Sequence, residues 1–170
     1  MIERSIYWLK EYPKLMVEMK KPSIIEKGKI EIAGVCGDGS ETTKLWKKFC
    51  KRGAEFGVEN KNSDHGYEVR SYSGGNCKCF VGFSVSDLEG NEEFDRLTLP
   101  PSEYAVFEIH VAEGYDSQNE AMDEWIDNNE HGYVQSKYEG KPFVIEYYDE
   151  RYKGDEPGSI VEIWVPIEKK

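Results

Sequence analysis

The sequence predicts an α+β fold in which two βαββ units share one antiparallel sheet with two helices. Three observations support this prediction. Residues 29–85 and 104–167 each show the order strand, helix, strand, strand, and an acidic connector separates them. A unit of this size cannot bury a sheet face alone, so the two are expected to join with pseudo-twofold symmetry. Such a junction leaves a cleft, where small ligands commonly bind.

The first unit spans about residues 29–86. Charged and apolar residues alternate at 29–35, which predicts a strand, and Ser40 followed by Glu41 is typical of a helix start. Either Gly53 or Gly57 ends the helix. Residues 60–66 are polar and predict a loop. Strands are predicted at 66–70 and 77–85. The helix carries apolar side chains at helical spacing, namely Leu45, Trp46, Phe49 and Cys50.

The second unit spans about residues 102–167 and follows the acidic connector at 87–97. A Leu-Pro-Pro sequence at 99–101 marks the boundary. The patterns predict a strand at 104–111, a helix at 117–129, and strands at 143–148 and 160–167, with Pro166 near a sheet edge. One face of the helix carries Ala121, Met122, Trp125 and Ile126.

Residues 1–22 are predicted to form an N-terminal helical and aromatic extension, and residues 23–170 the main domain. Pro13 interrupts the helical pattern of the extension. Its apolar surface needs a partner, which is the domain, a second subunit or a pocket. The pattern leaves these three alternatives open.

Composition limits the classes of partner. The chain has 170 residues, enough for one domain with a proper core, and a formal net charge of −11. This charge argues against nucleic acid or an anionic membrane as a partner. No stretch has the length of a membrane span or the form of a signal peptide, which favours a cytoplasmic protein. An exposed sheet edge or the extension could support a homodimer.

The cysteine and histidine spacings predict no metal site and no cofactor. Cys77 and Cys79 form a C-x-C pair, which alone is a weak metal signal, and the three histidines lack zinc spacing. Reduced structural thiols are therefore expected.

Glu146 is the strongest indication of function. It lies in the middle of the apolar strand at 143–148, where Val144, Glu146 and Tyr148 share one face. A carboxylate removed from water costs several kcal/mol unless a cation or good donors compensate it. Either Glu146 points to solvent from a half-exposed sheet, or it is buried for a functional reason.

Several segments together resemble the GyrI-like effector-binding domains, which also occur attached to AraC-type and MerR-type transcription regulators. In the second half these are residues 99–107, Trp125, residues 146–151 and residues 163–167. In the first half the resemblance is looser. It rests there on residues 32–34, Trp46 with Phe49, residues 67–69 and residues 80–85. The resemblance covers about residues 29–167.

This resemblance implies the duplicated βαββ fold with a ligand cleft between the repeats. It also implies that a strand glutamate among aromatic rings recognises lipophilic cations, and the matching position here is Glu146. Tyr148 shares the face of Glu146, whereas Trp125 fits a core position equally well and Trp46 fits the core of the first helix better. The candidate aromatic walls are Tyr104, Trp125, Tyr148 and Trp164 from the second half, and Tyr67 and Phe83 from the first.

Three functions follow as hypotheses. The preferred one is a stand-alone module that binds lipophilic cationic small molecules. The second is a hydrolase of strained electrophiles, a reaction that the resemblance implies for some relatives, with Glu146 and Tyr148 as its catalytic groups. The third is an acidic inhibitor of a gyrase-like enzyme. No segment of this chain fits a helix-turn-helix domain, so direct DNA binding is not expected.

Overall fold

The computed structural model of the protein describes residues 21–170. Apart from Lys21 and Pro22, the predicted N-terminal extension lies outside the described residues. The described part contains two α-helices and an antiparallel sheet, and the predicted α+β class is confirmed. The helices are α1 (Thr42–Phe56) and α2 (Asp116–Asp127); the strands are β1 (Ser23–Lys27), β2 (Ile30–Asp38), β3 (Lys61–Ser73), β4 (Asn76–Val85), β5 (Asp95–Leu99), β6 (Ser102–His110), β7 (Tyr133–Gln135), β8 (Lys137–Tyr138), β9 (Lys141–Tyr148) and β10 (Ile160–Lys169).

The sheet has β3 and β9 at its centre. The strand order is β1-β6-β10-β9-β3-β4-β2-β5, with β7 added to β10 and β8 to β9. From the centre outwards, one side runs β3, β4, β2 and the other runs β9, β10, β6. The two halves of the chain therefore repeat the same strand order. The outermost strands are exchanged between the halves. Strand β1 directly precedes β2 in the chain but pairs with β6, and β5 directly precedes β6 but pairs with β2. This order is the one that two βαββ units would give, while the unit boundaries at 29–86 and 102–167 stay a prediction.

Both helices lie on one face of the sheet. In α1, Leu45 and Phe49 pack on Val35 and Val81, and in α2, Met122 packs in a cluster with Phe107 and neighbouring strand residues. The opposite face carries a separate apolar cluster built from the alternate residues of the same strands. The helices cover the two flanks of the sheet, so the centre of the helix face, at β3 and β9, is the natural place for a cleft.

Several boundaries differ from the prediction. The predicted loop at 60–66 was wrong, since β3 begins at Lys61 and includes a register irregularity before Gly66. The strands β1, β5, β7 and β8 were not predicted, and β5 lies at the end of the acidic connector. Pro166 lies in β10, an interior strand between β6 and β9.

The helix ends follow local chemistry. Helix α1 stops at Gly57, whose φ of 73° lies in the left-handed region that favours glycine. Helix α2 ends at Asp127, two residues before the predicted end. No helix in residues 21–170 combines the length and apolarity that a bilayer crossing requires.

Candidate functional site

The floor of the site is the pairing of β3 with β9. Glu68 lies directly opposite Glu146 in this register, and Tyr67 lies opposite Tyr147. Side chains alternate along a strand, so both carboxylates point to the helix face while both tyrosines point to the other. Two acidic side chains therefore meet at the centre of the sheet, between the helices.

Glu68 is held by a dense set of donors. Its side chain is only 3% exposed. Trp46 of α1 donates its indole N–H to Glu68 Oε1 over 2.8 Å. Arg70 donates from Nε to Oε2 over 3.0 Å and brings a terminal nitrogen within 2.9 Å of the same oxygen. A buried carboxylate with these partners is fully compensated.

Arg70 also fixes the start of α1 against the sheet. One of its terminal nitrogens donates to the Gly39 carbonyl at 3.2 Å, and the other to the Thr42 hydroxyl at 2.7 Å. Burial acts to lower the pKa of Arg70, but the charges of Glu68 and Glu146 outweigh it and raise the pKa. The guanidinium is therefore a permanent positive charge that is already committed to several acceptors.

Glu146 is compensated much less. Its side chain is 18% exposed, and its nearest cation among residues 21–170, Arg70 Nε, is 3.8 Å from Oε2. The Tyr148 hydroxyl donates to the same oxygen over 2.9 Å. Burial, together with the hydrogen bond and charge of Glu68, raises the pKa of Glu146 to about 8. These surroundings therefore favour the protonated form of Glu146 near neutral pH.

The two carboxyl groups consequently differ in charge. Burial acts to raise the pKa of Glu68, but the hydrogen bonds from Glu146 and Trp46 and the charge of Arg70 outweigh it, so the pKa is lowered. Burial and the charge of Glu146 raise the pKa of Tyr148, so its phenol keeps its proton as a donor. The floor thus combines the anion Glu68, the cation Arg70, a carboxyl group that favours its neutral form and a phenol.

A cavity of about 560 Å³ opens above this floor. Trp46 and Tyr148 meet edge to face at 6.2 Å between ring centroids, and Tyr148 meets Tyr152 at 4.8 Å. The cavity lies within the size range of small-molecule sites. Its lining consists of Thr42, Thr43, Trp46, Asp64, Gly66, Glu68, Arg70, Phe83, Glu146, Tyr148, Asp149 and Tyr152.

Gly66 leaves room for the indole of Trp46 beside the sheet. A Cβ at position 66 would lie 2.9 Å from Cη2 of Trp46, closer than van der Waals contact allows. Glycine at this point of β3 therefore lets the aromatic wall approach the sheet.

Three of the predicted site residues lie together in the cleft, namely Glu146, Tyr148 and Phe83. The others do not join them. Tyr67, Tyr104 and Trp164 belong to the apolar cluster on the opposite face of the sheet. The alternation of side chains separates them from Glu146, since each belongs to the other set of its strand.

Trp125 lies on α2, outside the cleft. Its ring packs against Phe107 at 5.6 Å and stacks on His131 at 3.9 Å, within the cluster beneath α2. The core alternative for Trp125 therefore describes its position. Trp46 also packs against the core cluster of α1, as the sequence analysis predicted, and it lines the cleft as well.

The sequence analysis did not single out Glu68 and Arg70, and it placed Trp46 in the core of the first helix. A signal for Glu68 was present, because it is a carboxylate in the middle of an apolar strand, as Glu146 is. Applying the same test to the first unit would have found it. Among residues 21–170 there is no group of three or more His, Cys, Asp or Glu side chains arranged to hold a metal ion.

The sequence matches the family described as integron-associated effector binding protein over residues 23–167. No functionally curated protein matches it. The family match runs from the start of β1 into β10 and thus includes both sides of the cleft.

Solved structures share the fold. SAV2435 bound to tetraphenylphosphonium has a TM-score of 0.66 and 16% identity, over 86% of this chain and 93% of that chain. EcmrR in a complex with DNA has a TM-score of 0.70 and 15% identity, and the match spans 100% of this chain but 65% of EcmrR. The integron cassette protein VCH_CASS2, from the mobile metagenome of Vibrio cholerae, has a TM-score of 0.50 and 13% identity, over 88% of this chain and 97% of that chain. Identities this low show likeness of fold alone.

Proposed function

Because the chain belongs to the integron-associated effector binding protein family, we propose that its cleft binds lipophilic cationic small molecules, with Glu146 as the counter-charge. The sequence-based identification of a GyrI-like effector-binding domain is confirmed by the family match and by the shared fold of SAV2435. Effector binding is thus the family's function, and the cationic ligand and the role of Glu146 are the proposal.

One observation carries the proposal, the unequal compensation of the two floor carboxylates. Glu68 has Arg70 at 2.9 Å and the Trp46 N–H at 2.8 Å. Glu146 has Arg70 only at 3.8 Å, and its other partner is a neutral phenol. A positive ligand placed over Glu146 would supply the missing charge in a largely desolvated site, where it counts most.

The walls suit the apolar part of such a ligand. Trp46, Phe83, Tyr148 and Tyr152 present aromatic rings around the cavity. The faces of these rings attract a delocalised cation, and flat walls accept several ligand shapes. Charge and apolar area would therefore select a ligand more strongly than its outline does.

The comparison with SAV2435 supports this ligand class, because that protein has the same fold and its structure contains tetraphenylphosphonium. Tetraphenylphosphonium is a permanent monocation surrounded by aromatic rings. It is therefore a suitable probe, since its charge does not change with pH.

The test is a calorimetric titration with tetraphenylphosphonium, comparing the wild type with Glu146→Gln. Glutamine keeps the size and hydrogen-bonding capacity of a protonated glutamate but cannot become an anion, so the fold should be retained. Losing one member of a buried charge pair costs about 2–5 kcal/mol, which predicts at least a ~30-fold loss of affinity.

Glu150→Gln is the matched control, because the Glu150 side chain is 81% exposed and close to the cleft in sequence. Its affinity should equal that of the wild type. Triphenylphosphine oxide, a neutral aromatic compound, should bind weakly and with equal affinity to the wild type and to Glu146→Gln. Equal tetraphenylphosphonium affinity in wild type and Glu146→Gln would contradict the proposed role of Glu146.

A hydrolytic role is a second candidate, favoured by the 2.9 Å hydrogen bond from Tyr148 to Glu146. The pair could supply a base and a proton donor to a strained electrophile. The raised pKa of Glu146 weighs against a base at neutral pH, because the group is then mostly protonated. Incubation with a cyclopropane-bearing electrophile at alkaline pH, followed by mass spectrometry, tests it, and an unchanged substrate mass argues against it.

A further inference from the structure

The cleft floor contains two carboxyl groups but a single nearby guanidinium. Glu68 and Glu146 are directly paired across β3 and β9, and Arg70 lies beside both, at 2.9 Å from one and 3.8 Å from the other. With both carboxyl groups ionised, the three side chains together carry one uncompensated negative charge. With one proton on the pair, they are neutral.

The register also places the two carboxyl groups side by side on one face of the sheet, and Glu68 acts to raise the pKa of Glu146. Two adjacent carboxylates repel each other and can only accept hydrogen bonds, so a proton on one of them is favoured. Arg70 and Trp46 hold Glu68 as the anion, which leaves the proton on Glu146.

The surrounding charged and titratable groups do not provide the missing counter-charge. At the rim, Asp64 is paired with Lys61, and Asp149 with Arg151 at 2.7 Å. The other groups that influence the pair are neutral near pH 7, because burial raises the pKa of each of the phenols Tyr72, Tyr115 and Tyr148 and of the Cys79 thiol. The remaining phenol at the cleft mouth is Tyr152.

We propose that the Glu68–Glu146 pair holds one proton in the empty cleft and that a lipophilic monocation binds by exchange for that proton. The proton leaves Glu146 for the buffer, and the ligand takes its place as the compensating positive charge. This inference rests on the proposed function and specifies it further, since it sets the capacity of the cleft at one positive charge.

The pH dependence follows from the direction of the exchange. The pKa of Glu146 is raised to about 8, so at pH 7 the ligand must displace a bound proton. Below about pH 8 the affinity for a permanent cation should rise about tenfold per pH unit, and above it the affinity should level off. A neutral aromatic ligand should show no such slope.

Calorimetry of tetraphenylphosphonium binding in two buffers with different ionisation enthalpies measures the exchange directly. At about pH 6.5 we expect close to one proton released per ligand bound, falling towards zero by about pH 9.5. Binding without proton release at about pH 6.5 would overturn the exchange and leave the proposed function intact. Absence of binding across the whole pH range would overturn both.

Glu68→Gln tests the pairing. Arg70 would then lie beside Glu146 alone, so Glu146 should already be ionised at neutral pH. Proton release at about pH 6.5 should fall to a small fraction of the wild-type value, and the affinity should lose its slope. An unchanged proton release in this variant would contradict the shared proton.

Tyr148→Phe provides a second variant that leaves the Arg70 contacts in place, in case Glu68→Gln does not fold. The Tyr148 hydroxyl donates to Glu146 and thereby favours its ionised form. Its removal should move the pH at which the affinity levels off to a higher value. A shift to lower pH, or none, would count against the exchange.

Discussion

At the scale of single residues, the cleft shows how surroundings shift the pKa values of two identical side chains in opposite directions. Glu68 is almost completely buried yet ionised, because Trp46 and Arg70 donate to it directly. Glu146 is slightly more exposed, yet burial and the nearby Glu68 raise its pKa, and Arg70, 3.8 Å away, offsets them only in part. Burial alone does not decide the charge of a carboxyl group; the donors that burial leaves in place decide it.

The raised pKa of Glu146 also predicts how stability varies with pH. The folded pKa of about 8 lies above the ordinary value of 4.5, so the folded state binds the extra proton. This contribution is fully present below about pH 4.5 and is lost as pH rises through about 8. Relative to Glu146→Gln, the wild type should lose stability over this interval, by an amount on the order of a few kcal/mol.

Urea unfolding at several pH values measures this difference. The comparison removes the effects of the other titrating groups, because both proteins contain them. The two curves of unfolding free energy against pH should diverge up to about pH 8 and run parallel above it. Parallel curves throughout would mean that Glu146 titrates as an ordinary carboxyl group.

At the scale of elements, β3 shows what the sequence could predict and what it could not. Its central residues 66–70 were predicted as a strand, and its helix-face residues Glu68 and Arg70 form half of the cleft floor. The first part, from Lys61, was predicted as a loop because it is polar and lacks alternation. Its pairing partner, Val85 of β4, comes from elsewhere in the chain, and local patterns do not contain such information.

Gly66 in β3 offers a test of the aromatic wall. In Gly66→Ala the new methyl group would meet the Trp46 ring at 2.9 Å and push the ring into the cleft. We expect destabilisation of about 1–3 kcal/mol and a several-fold loss of tetraphenylphosphonium affinity. Chemical unfolding and calorimetric titration measure the two effects.

Gly53→Ala in helix α1 is the matched control, because nothing lies within 4 Å of the added Cβ. Alanine in a helix should stabilise the protein by about 0.5–1 kcal/mol and leave binding unchanged. Should Gly66→Ala bind the probe as well as Gly53→Ala does, the wall formed by Trp46 would have no part in recognition.

At the scale of the whole molecule, the class of fold and the residue at its centre were predictable from the sequence. The long alternating strands and the two amphipathic helices carry local signals, and Glu146 stood out in an apolar strand. The exchanged strands β1 and β5 carry no such local signal, because they are short and their strand character comes from partners far away in the chain. The predicted aromatic residues lie on both faces of the sheet for a related reason. The face that carries the cleft depends on where the helices pack, and local patterns do not show this.

The cleft requires both halves of the chain, and this gives the last prediction. Glu68, Arg70 and Trp46 come from the first half, whereas Glu146 and Tyr148 come from the second. Pro100 and Pro101 are exposed between β5 and β6, so a break there removes no strand. Residues 1–100 and 101–170, expressed separately, should each fail to bind tetraphenylphosphonium. Mixed together, they should associate through the β3–β9 and β1–β6 pairings and recover binding, as size-exclusion chromatography and calorimetry would measure. Binding by the 101–170 fragment alone would contradict a site shared between the halves, because that fragment lacks Glu68, Arg70 and the indole wall.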